Sequence, residues 1–424
     1  MEKFSLDVRK YGARCDWTGP GTGTDDSAAI QKAIDAAHGQ DVKGGEVVIS
    51  GACRIGRPLN LHRKSITLRG LGHQAMGDPA SGALIWEGPA GQPMIHLQDS
   101  VGCVISVRLV GNDDSPPSAG IEIAANQTPV SPDNQSIHIH DMVMGPLPYG
   151  PAGNAVGRLE RGILVSGNTS CDRTCLTNVE INAVTKVGID IQNYNAIWND
   201  FRHVAINGWG QFTPVAIKTA ANFNASTLNL VWCDLGIDTA SYRAGPEIFV
   251  TNIGSEKLVK WFEFGLDTVA TFYGGRHLMR EAVQGVPFGE YTSMGLKGAF
   301  AMYEVHLLGM HQYFDNEGKH RPTLNFKMTR PRNSLTFVGN RELRHTDIQP
   351  ICGPKASAHV LGSFTGGPDL NNYDGTFLIN DLGPNDKALR PGVIEAQGRI
   401  GARDANGDMR YLQPPIGGGN AVWT

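Results

Sequence analysis

Short apolar runs separated by glycine, asparagine and proline make up most of the chain. Runs such as residues 47–49, 65–68 and 83–86 are too short for helices and predict β-strands. One segment differs, because apolar residues recur at helical spacing from Ala28 to Ala37. Thr24, Asp25 and Asp26 precede it as N-cap candidates and Gly39 follows it. The pattern therefore predicts one N-terminal helix followed by a long succession of strands.

Five of the strand runs repeat one motif, Gly-Ile or Ala-Ile followed by two residues. They begin at Gly120, Gly162, Gly188, Ala216 and Gly236. The intervals between successive starts are typical of the coils of a solenoid, and the long first interval is expected to span about two coils. A β-sandwich would need hairpin turns every few residues, and an α/β sheet would need alternating helices. The repeat predicts an all-β, right-handed parallel β-helix.

The predicted organisation has three parts. Residues 1–44 form an N-terminal strand and a capping α-helix, residues 45–390 form the parallel β-helix, and residues 391–424 form a C-terminal arm or cap. A helix at this place has a physical role, because the open end of a solenoid exposes apolar core and unpaired strand edges.

Composition narrows the function classes. The 424 residues are 41% hydrophobic with a net charge of −4 and no basic run, which argues against nucleic acid and membrane surfaces as partners. No apolar stretch approaches the roughly 18 residues of a membrane span, and the N-terminus lacks the apolar core of a signal peptide. Seven dispersed cysteines do not resemble a disulfide framework, although Cys171 and Cys175 could pair or bind metal. We expect no cofactor and no metal.

Three segments carry a family resemblance. Residues 7–13 (DVRKYGA), 24–34 (TDDSAAIQKAI) and 44–49 (GGEVVI) resemble the opening of pectate-lyase-like β-helix proteins, which include polygalacturonases, polysaccharide lyases and phage tailspike depolymerases. The resemblance implies the fold and an extracellular or virion-associated polysaccharide-active protein, with a cytoplasmic location left open. The polygalacturonase signature and the calcium cluster of pectate lyases are missing from the sequence. No catalytic residue can therefore be transferred from the family.

Candidate chemistry comes from the repeat itself. Equivalent outward residues of successive coils lie about 4.8 Å apart, so they form columns. One predicted column reads Glu122, a coil with no aligned member, Leu164, Asp190, Lys218 and Asp238. Asp190 and Asp238 would lie about 10 Å apart, near the roughly 6.5–9.5 Å carboxyl separation of inverting glycosidases, and Lys218 between them could neutralise a uronate. The alternative is a solvated ladder of opposite charges.

A second predicted column and three isolated residues complete the candidates. The column reads Val143, Glu180, Ala205 and Trp232, in which Trp232 could stack on a sugar or be covered by a loop. Asn182, Asn207 and Asp234 follow at a coil corner, where stacked asparagines usually satisfy backbone groups and Asp234 could face a groove. Glu256 in a turn-like loop is a further carboxylate, and His203 a base or uronate contact, against ordinary surface roles. His138 and His140 share a strand face but lack a third metal ligand.

These features predict an enzyme that cleaves a polysaccharide in a groove along the β-helix, by carboxylate acid/base hydrolysis or by β-elimination, with hydrolysis slightly favoured. Asp190, Asp238, Glu180, Asp234 and Glu256 are the catalytic candidates, and Lys218, Trp232 and His203 are the substrate-binding candidates. The alternatives are a non-catalytic glycan-binding spike, adhesin or virion structural protein, and a β-helical transglycosylase or epimerase. A homotrimer is also predicted, with the segment 417–423 as an interface arm.

Overall fold

The computed structural model describes most of the chain. The described residues are 5–38, 44–71, 82–125, 134–147, 157–209, 211–242, 245–279, 287–293, 297–308, 323–328, 333–338, 347–361, 373–380, 400–403, 409–413 and 422–423. The chain divides into two compact units, Met1–Asp234 and Leu235–Thr424.

The first unit contains two helical segments and strands β1 to β17. The helical segments are a 3₁₀ helix (Val8–Tyr11) and α1 (Ser27–Ala37). The strands are β1 (Ser5–Asp7), β2 (Glu46–Ile49), β3 (Ala52–Ile55), β4 (Leu59–His62), β5 (Thr67–Gly70), β6 (Ala83–Trp86), β7 (Ile95–Gln98), β8 (Val104–Ser106), β9 (Arg108–Val110), β10 (Ile121–Ala125), β11 (Asn134–Met144), β12 (Arg161–Gly167), β13 (Cys171–Asn182), β14 (Val187–Ile191), β15 (Asn199–Asn207), β16 (Thr213–Thr219) and β17 (Phe223–Val231).

The remaining strands belong mostly to the second unit. They are β18 (Cys233–Asp238), β19 (Glu247–Leu258), β20 (Lys260–Gly265), β21 (Val269–Met279), β22 (Gly289–Ser293), β23 (Ala299–Leu308), β24 (Thr323–Met328), β25 (Ser334–Val338), β26 (Asp347–Leu361), β27 (Tyr373–Asn380), β28 (Ile400–Arg403), β29 (Met409–Gln413) and β30 (Val422–Trp423).

Parallel pairing between successive coils organises the first unit. Strand β10 pairs with β12, β12 with β14 and β14 with β16, while β11, β13, β15 and β17 pair in a second series. Inward residues of these strands, such as Ile163, Ile189 and Ile217, stack in register and are buried. The predicted right-handed parallel β-helix is confirmed. Because Glu122 pairs directly with Leu164, the long interval between the first two motifs is a single coil, and the expected missing coil does not exist.

Helix α1 places its apolar side against the first strands. Ile30 and Ile34 are fully buried, and the helix contacts β1, β2 and β4. The buried Asp26 carboxylate at its start accepts hydrogen bonds from the backbone N–H groups of Arg14 and Cys15, at 2.7 and 2.8 Å. The helix is thus where the sequence predicts it, and its role as a cap stays a prediction.

The cysteines depart from the sequence-based interpretation. Cys15 and Cys53, separated by 38 positions, form a disulfide that joins the N-terminal segment to β3. Spacing alone did not predict this bond, since the two sulfurs meet only when the N-terminal segment folds back over the first coil. Among the described residues, Cys171 and Cys175 do not form a disulfide with each other, and Cys103 and Cys233 are buried.

The second unit has parallel coils and an antiparallel end. Strands β19, β21, β23 and β25 pair in one parallel series and β20, β22 and β24 in another. Its core is aromatic, with Trp261, Phe262, Phe272 and Phe300 buried. Strands β28, β29 and β30 pair antiparallel. Of the predicted arm, residues 417–421 lie outside the described residues, as does the predicted boundary at 390, so the three-part division stays a prediction.

Candidate functional site

A cleft of about 430 Å³ opens on the first unit. Four parts of the chain line it: residues 17–20, residues 85–87, residues 110–114, and the pair Leu147 and Gly157. The volume lies within the range of small-molecule sites. Aromatic, aliphatic and carboxylate side chains converge on it, which is the combination that binds a polar ligand with apolar faces.

The floor of the cleft is an outward strand face that is apolar instead of polar. Ile85 of β6 and Val110 of β9 are paired residues on neighbouring coils, and they form a buried cluster with Ala52 and Ala83. Trp17 and Leu147 pack against this cluster from outside. A sheet face open to water would carry polar side chains, so this apolar face is one that another part of the chain covers. The N-terminal segment that carries Trp17 covers it and is held there by these contacts.

Trp17 forms one wall and is held rigidly. Its backbone N–H donates to the Ala52 carbonyl at 3.2 Å, and its indole Nε1–H donates to Glu87 Oε1 at 3.1 Å. The same Glu87 oxygen accepts the N–H of Gly21 at 2.9 Å. Arg54 Nε lies 3.4 Å from the other oxygen, Oε2. Glu87 thus anchors the segment that contains Trp17 and Gly21, and the half-buried indole faces the cleft in one orientation.

Two aspartates that line the cleft have different surroundings. Asp113 Oδ1 accepts the side-chain and backbone N–H groups of Arg158 at 2.7 and 3.1 Å, and its Oδ2 accepts the N–H of Gly157 at 3.3 Å. Asp114 is exposed, and its carboxylate has no hydrogen-bond or ion-pair partner among the described residues. The Asn112 side chain accepts the Asp114 N–H at 2.9 Å and fixes this turn. Asp114 is therefore the cleft carboxylate that remains available to a ligand.

The predicted column of the first unit is correct in register but not in exposure. Leu164, Asp190 and Lys218 are successive partners on neighbouring coils. Asp190, however, is only 2% exposed, and its Oδ2 accepts Arg161 Nε at 2.8 Å and Gln192 Nε2 at 3.0 Å. The expectation that Asp190 is a solvated outward carboxylate is wrong, because Arg161 extends over the sheet face and covers it.

Glu180 and His203 have identifiable structural surroundings. Glu180 lies between Val143 and Ala205 in its column, as predicted, and accepts Asn182 Nδ2 at 3.0 Å. His203 is exposed and has φ +52°, at a corner where Asn178 and Thr227 of the adjacent coils also have positive φ. Its position is thus that of a left-handed coil corner. Neither the hydrogen bond of Glu180 nor the backbone conformation of His203 tests a role on substrate. The catalytic role of Glu180 and the binding role of His203 therefore stay predictions.

Trp232 and Asp234 do not occupy the columns expected of them. Ala205 pairs with Asn229, and Asn207 pairs with Val231, so Trp232 is not the partner of Ala205. Two apolar pairs could supply the inward side chains of this coil, Leu228 with Leu230 or Val231 with Cys233, and the sequence pattern does not distinguish them. In the structure the inward pair is Leu228 and Leu230. Trp232 instead occupies the corner after β17, with φ +56° and its ring 5.3 Å from that of Phe212. Asp234 is exposed in β18.

The two candidates of the second unit are both in strands. Asp238 ends β18, is 4% exposed, and accepts the N–H and the hydroxyl of Ser241. Glu256 lies in β19 and not in a loop, with Lys257 Nζ 3.7 Å from its Oε1. The short polar stretch around Asn252, where φ is +55°, produces a bend within a continuous strand. Since Asp190 and Asp238 belong to different units, the predicted pair is not a described site.

A carboxylate ladder in the second unit escaped the sequence analysis. Asp238, Glu263 and Glu290 are successive partners on neighbouring coils. Lys260 Nζ lies 2.9 Å from Glu263 Oε2 and 3.0 Å from Glu290 Oε2. Partial burial lowers the pKa of Lys260, but its bonds to the two glutamates outweigh this, and the net pKa is raised. Unlike the predicted column of Asp, Lys and Asp, all three stacked residues are acidic, and Lys260, from the same strand as Glu263, bridges two of them.

Within the described part of the chain, one group of three side chains has potential metal-ligand atoms close together. Ligand atoms of Cys15, Asp26 and Cys53 lie within 4.8 Å of one another, but the two sulfurs are joined in the disulfide. His140 Nδ1 contacts Asp141 Oδ2 at 2.9 Å. None of the described helical segments has the length and hydropathy of a membrane-spanning helix.

Comparison with known proteins bears on the fold. No protein-family model matches the chain, and no curated protein matches its sequence. The chain is similar in structure to DFA-IIIase from Arthrobacter chlorophenolicus A6 in complex with GF2, with 12% identity and a TM-score of 0.51 over 85% of this chain and 94% of that one. The same enzyme without its lid, also with GF2, gives 13% identity and a TM-score of 0.50, over 88% and 98% of the two chains.

The chain has the fold of this β-helical enzyme. Similarity at such low identity establishes the fold alone, in agreement with the pectate-lyase-like architecture predicted from residues 7–49. A tailspike of phage phiAB6, solved with oligosaccharides of an Acinetobacter baumannii surface polysaccharide, is more distant, with 12% identity and a TM-score of 0.42 over 72% of this chain and 47% of that one.

Proposed function

We propose that the protein binds and hydrolyses a glycan in the cleft of the first unit. The observation that carries the proposal is the convergence of the Trp17 indole with Glu87 and Asp114 on one cleft of suitable volume. A rigid aromatic wall stacks on the apolar face of a sugar ring, and carboxylates bond its hydroxyl groups. The fold is shared with an enzyme that was solved in complex with the saccharide GF2, which supports a carbohydrate ligand.

Hydrolysis requires two carboxyl groups with different tasks. One donates a proton to the glycosidic oxygen as the bond breaks, and the other accepts a proton from the attacking water. Asp114, exposed and unpartnered among the described residues, is suited to take the proton from water. Glu87, whose side chain is 13% exposed, is held as a carboxylate by Arg54 and by the N–H groups of Trp17 and Gly21, so we assign it the role of orienting the indole wall. Elimination would need a free cation near the cleft, whereas Arg54 and Arg158 already pair with Glu87 and Asp113.

The test is a panel of bacterial and plant polysaccharides, assayed for new reducing ends and for ultraviolet absorbance of unsaturated products. Trp17→Ala should lower turnover at least tenfold, and Asp114→Asn by about 10²–10⁴-fold, the range expected for a lost general acid or base. Trp232→Ala and Glu263→Gln are matched controls, because they alter an indole and a carboxylate outside the cleft. Melting temperatures of all four variants separate loss of activity from loss of folding.

The results distinguish the alternatives. Loss of activity in Trp232→Ala or Glu263→Gln with an active Trp17→Ala variant would move the site away from the cleft. Tight glycan binding without any product would instead support the non-catalytic spike or adhesin. A changed glycan without new reducing ends would support an epimerase or transglycosylase. Unsaturated product would replace hydrolysis with elimination.

A further inference from the structure

The charges of the cleft bear on the class of glycan that it can accept. Its lining includes Glu87, Asp113 and Asp114 but no lysine, arginine or histidine among the described residues. The sequence-based candidates Lys218 and His203 would serve a uronate polymer. An anionic cleft does not suit such a polymer.

The neighbouring cations do not reverse this balance. Arg54 lies 3.4 Å from Glu87 Oε2 and also donates to the carbonyl of Gly23 at 3.1 Å. Arg158 bonds Asp113 at 2.7 Å and Gln211 Oε1 at 2.8 Å. Each arginine therefore neutralises a carboxylate that is already present and has a second partner. A uronate entering the cleft would have to displace one of these ion pairs and leave the released carboxylate unpaired.

Asp114 leaves a net negative charge at the wall. Its turn is fixed through Asn112, whose side-chain oxygen accepts the N–H groups of Asp114 and Ser115, so the carboxylate is held at this position. At about 5 Å in a water-like medium, two unit charges change binding by about three- to fourfold, and salt screens the effect. This factor applies to each charged sugar that lies beside Asp114.

We infer that the cleft accepts glycan units that are neutral or carry a protonated amine, and that it discriminates against uronates. The inference rests on the proposed function, because it assigns a substrate class to the same cleft. Trp17 is compatible with either accepted type, since stacking depends on the apolar face of the ring and not on its charge. A protonated amine would in addition pair with Asp114.

Two pairs of probes, within a broad array of neutral, amino and uronate glycans, differ chiefly in charge. One pair is polygalacturonate and its fully methyl-esterified form, and the other is chitosan oligomers and their N-acetylated counterparts. We expect the ester to bind more tightly than the acid, and the amine more tightly than the amide, by about three- to fourfold at low salt, with both differences shrinking at high salt. If neither member of a pair binds, the comparison uses the glycan type on the array that does bind. Its charged and uncharged members are then compared in the same way.

Asp114→Asn should abolish most of this discrimination and leave neutral glycans bound. Glu122→Gln is the control, since Glu122 is a carboxylate of the same unit that accepts the Ser166 hydroxyl at 2.8 Å and does not line the cleft. Tighter binding of the uronate than of its ester would overturn the inference and leave the proposed function standing. No binding anywhere on the array would overturn the proposed function itself, and the inference with it.

Discussion

Acid should destabilise the second unit through one buried histidine. His277 is fully buried in β21, where its Nδ1 lies 2.6 Å from the Ser255 hydroxyl and its ring centroid 3.9 Å from that of Trp261. Its Nε2 has no hydrogen-bond partner among the described residues. Burial lowers the pKa of His277 from 6.5 to about 3, because a charged imidazolium would be surrounded by the aromatic core.

The sign and size of the effect follow from this pKa. Above pH 6.5 the histidine is neutral in both folded and unfolded chains, so the stability is fully present. Below pH 6.5 the unfolded chain binds the proton and the folded chain does not, so stability falls until the pH reaches about 3. Each pKa unit corresponds to about 1.4 kcal/mol. The loss attributable to His277 is therefore about 3 kcal/mol at pH 4.5 and approaches roughly 4 kcal/mol near pH 3.

Urea unfolding at pH 7.0 and pH 4.5, followed by circular dichroism at constant ionic strength, measures this loss. Carboxylates also titrate in this window, so the comparison is between the wild type and His277→Gln, which cannot be charged. The wild type should lose about 3 kcal/mol more than the variant between the two pH values. An equal loss in both proteins would refute the reasoning. If His277→Gln does not fold, His277→Asn or the nitrogen chemical shifts of the imidazole at pH 5 give the same answer.

Four further predictions concern stability and assembly. Ile34→Asp should lower the free energy of unfolding by several kcal/mol, because it places a charge in the core under the helix. Ala28→Asp, on the exposed side of the same helix, is the control and should not do so. Equal melting temperatures of the two variants would contradict the role of the helix as a cap. Reducing the Cys15–Cys53 disulfide should cost up to about 4 kcal/mol, the entropy of closing the loop between them, as measured by urea unfolding with and without reductant. Asp190→Asn should cost about 1–3 kcal/mol in the same assay, because it leaves Arg161 without its buried partner. The homotrimer stays a prediction, and a light-scattering mass near 45.6 kDa would exclude it.

The fold was accessible from the sequence because its signals are local. The repeated Gly-Ile motif fixes the coil register wherever one strand per coil carries it, and Leu164, Asp190 and Lys218 align as predicted. The prediction failed where two apolar alternations overlap, as at residues 228–233. There the register depends on where the chain turns, and the turn at Trp232 has a left-handed backbone that no glycine marks.

The cleft was less accessible, although one signal pointed to it. The run Ala83–Trp86 is apolar at four consecutive positions and not at alternate ones, which indicates a strand buried on both faces. The sequence does not tell what covers the outer face. That role belongs to Trp17, which lies far earlier in the chain, and its bond to Glu87 follows only from the fold.

Columns in a parallel β-helix are weaker indicators of catalysis than their geometry suggests. Side chains stacked about 4.8 Å apart can reach the partners that satisfy one another, so a carboxylate in a column tends to be paired, as Glu263 and Glu290 are through Lys260. A turn outside the columns does not impose this stacking, so although Asp113 there bonds Arg158, a carboxylate beside it can be left without a partner in the adjacent coil. Asp114 is of this kind, because the Asn112 side chain fixes its backbone and leaves its oxygens to solvent. Free carboxylates on turns that border a cleft are therefore better candidates for proton transfer than the outward acids of the strands.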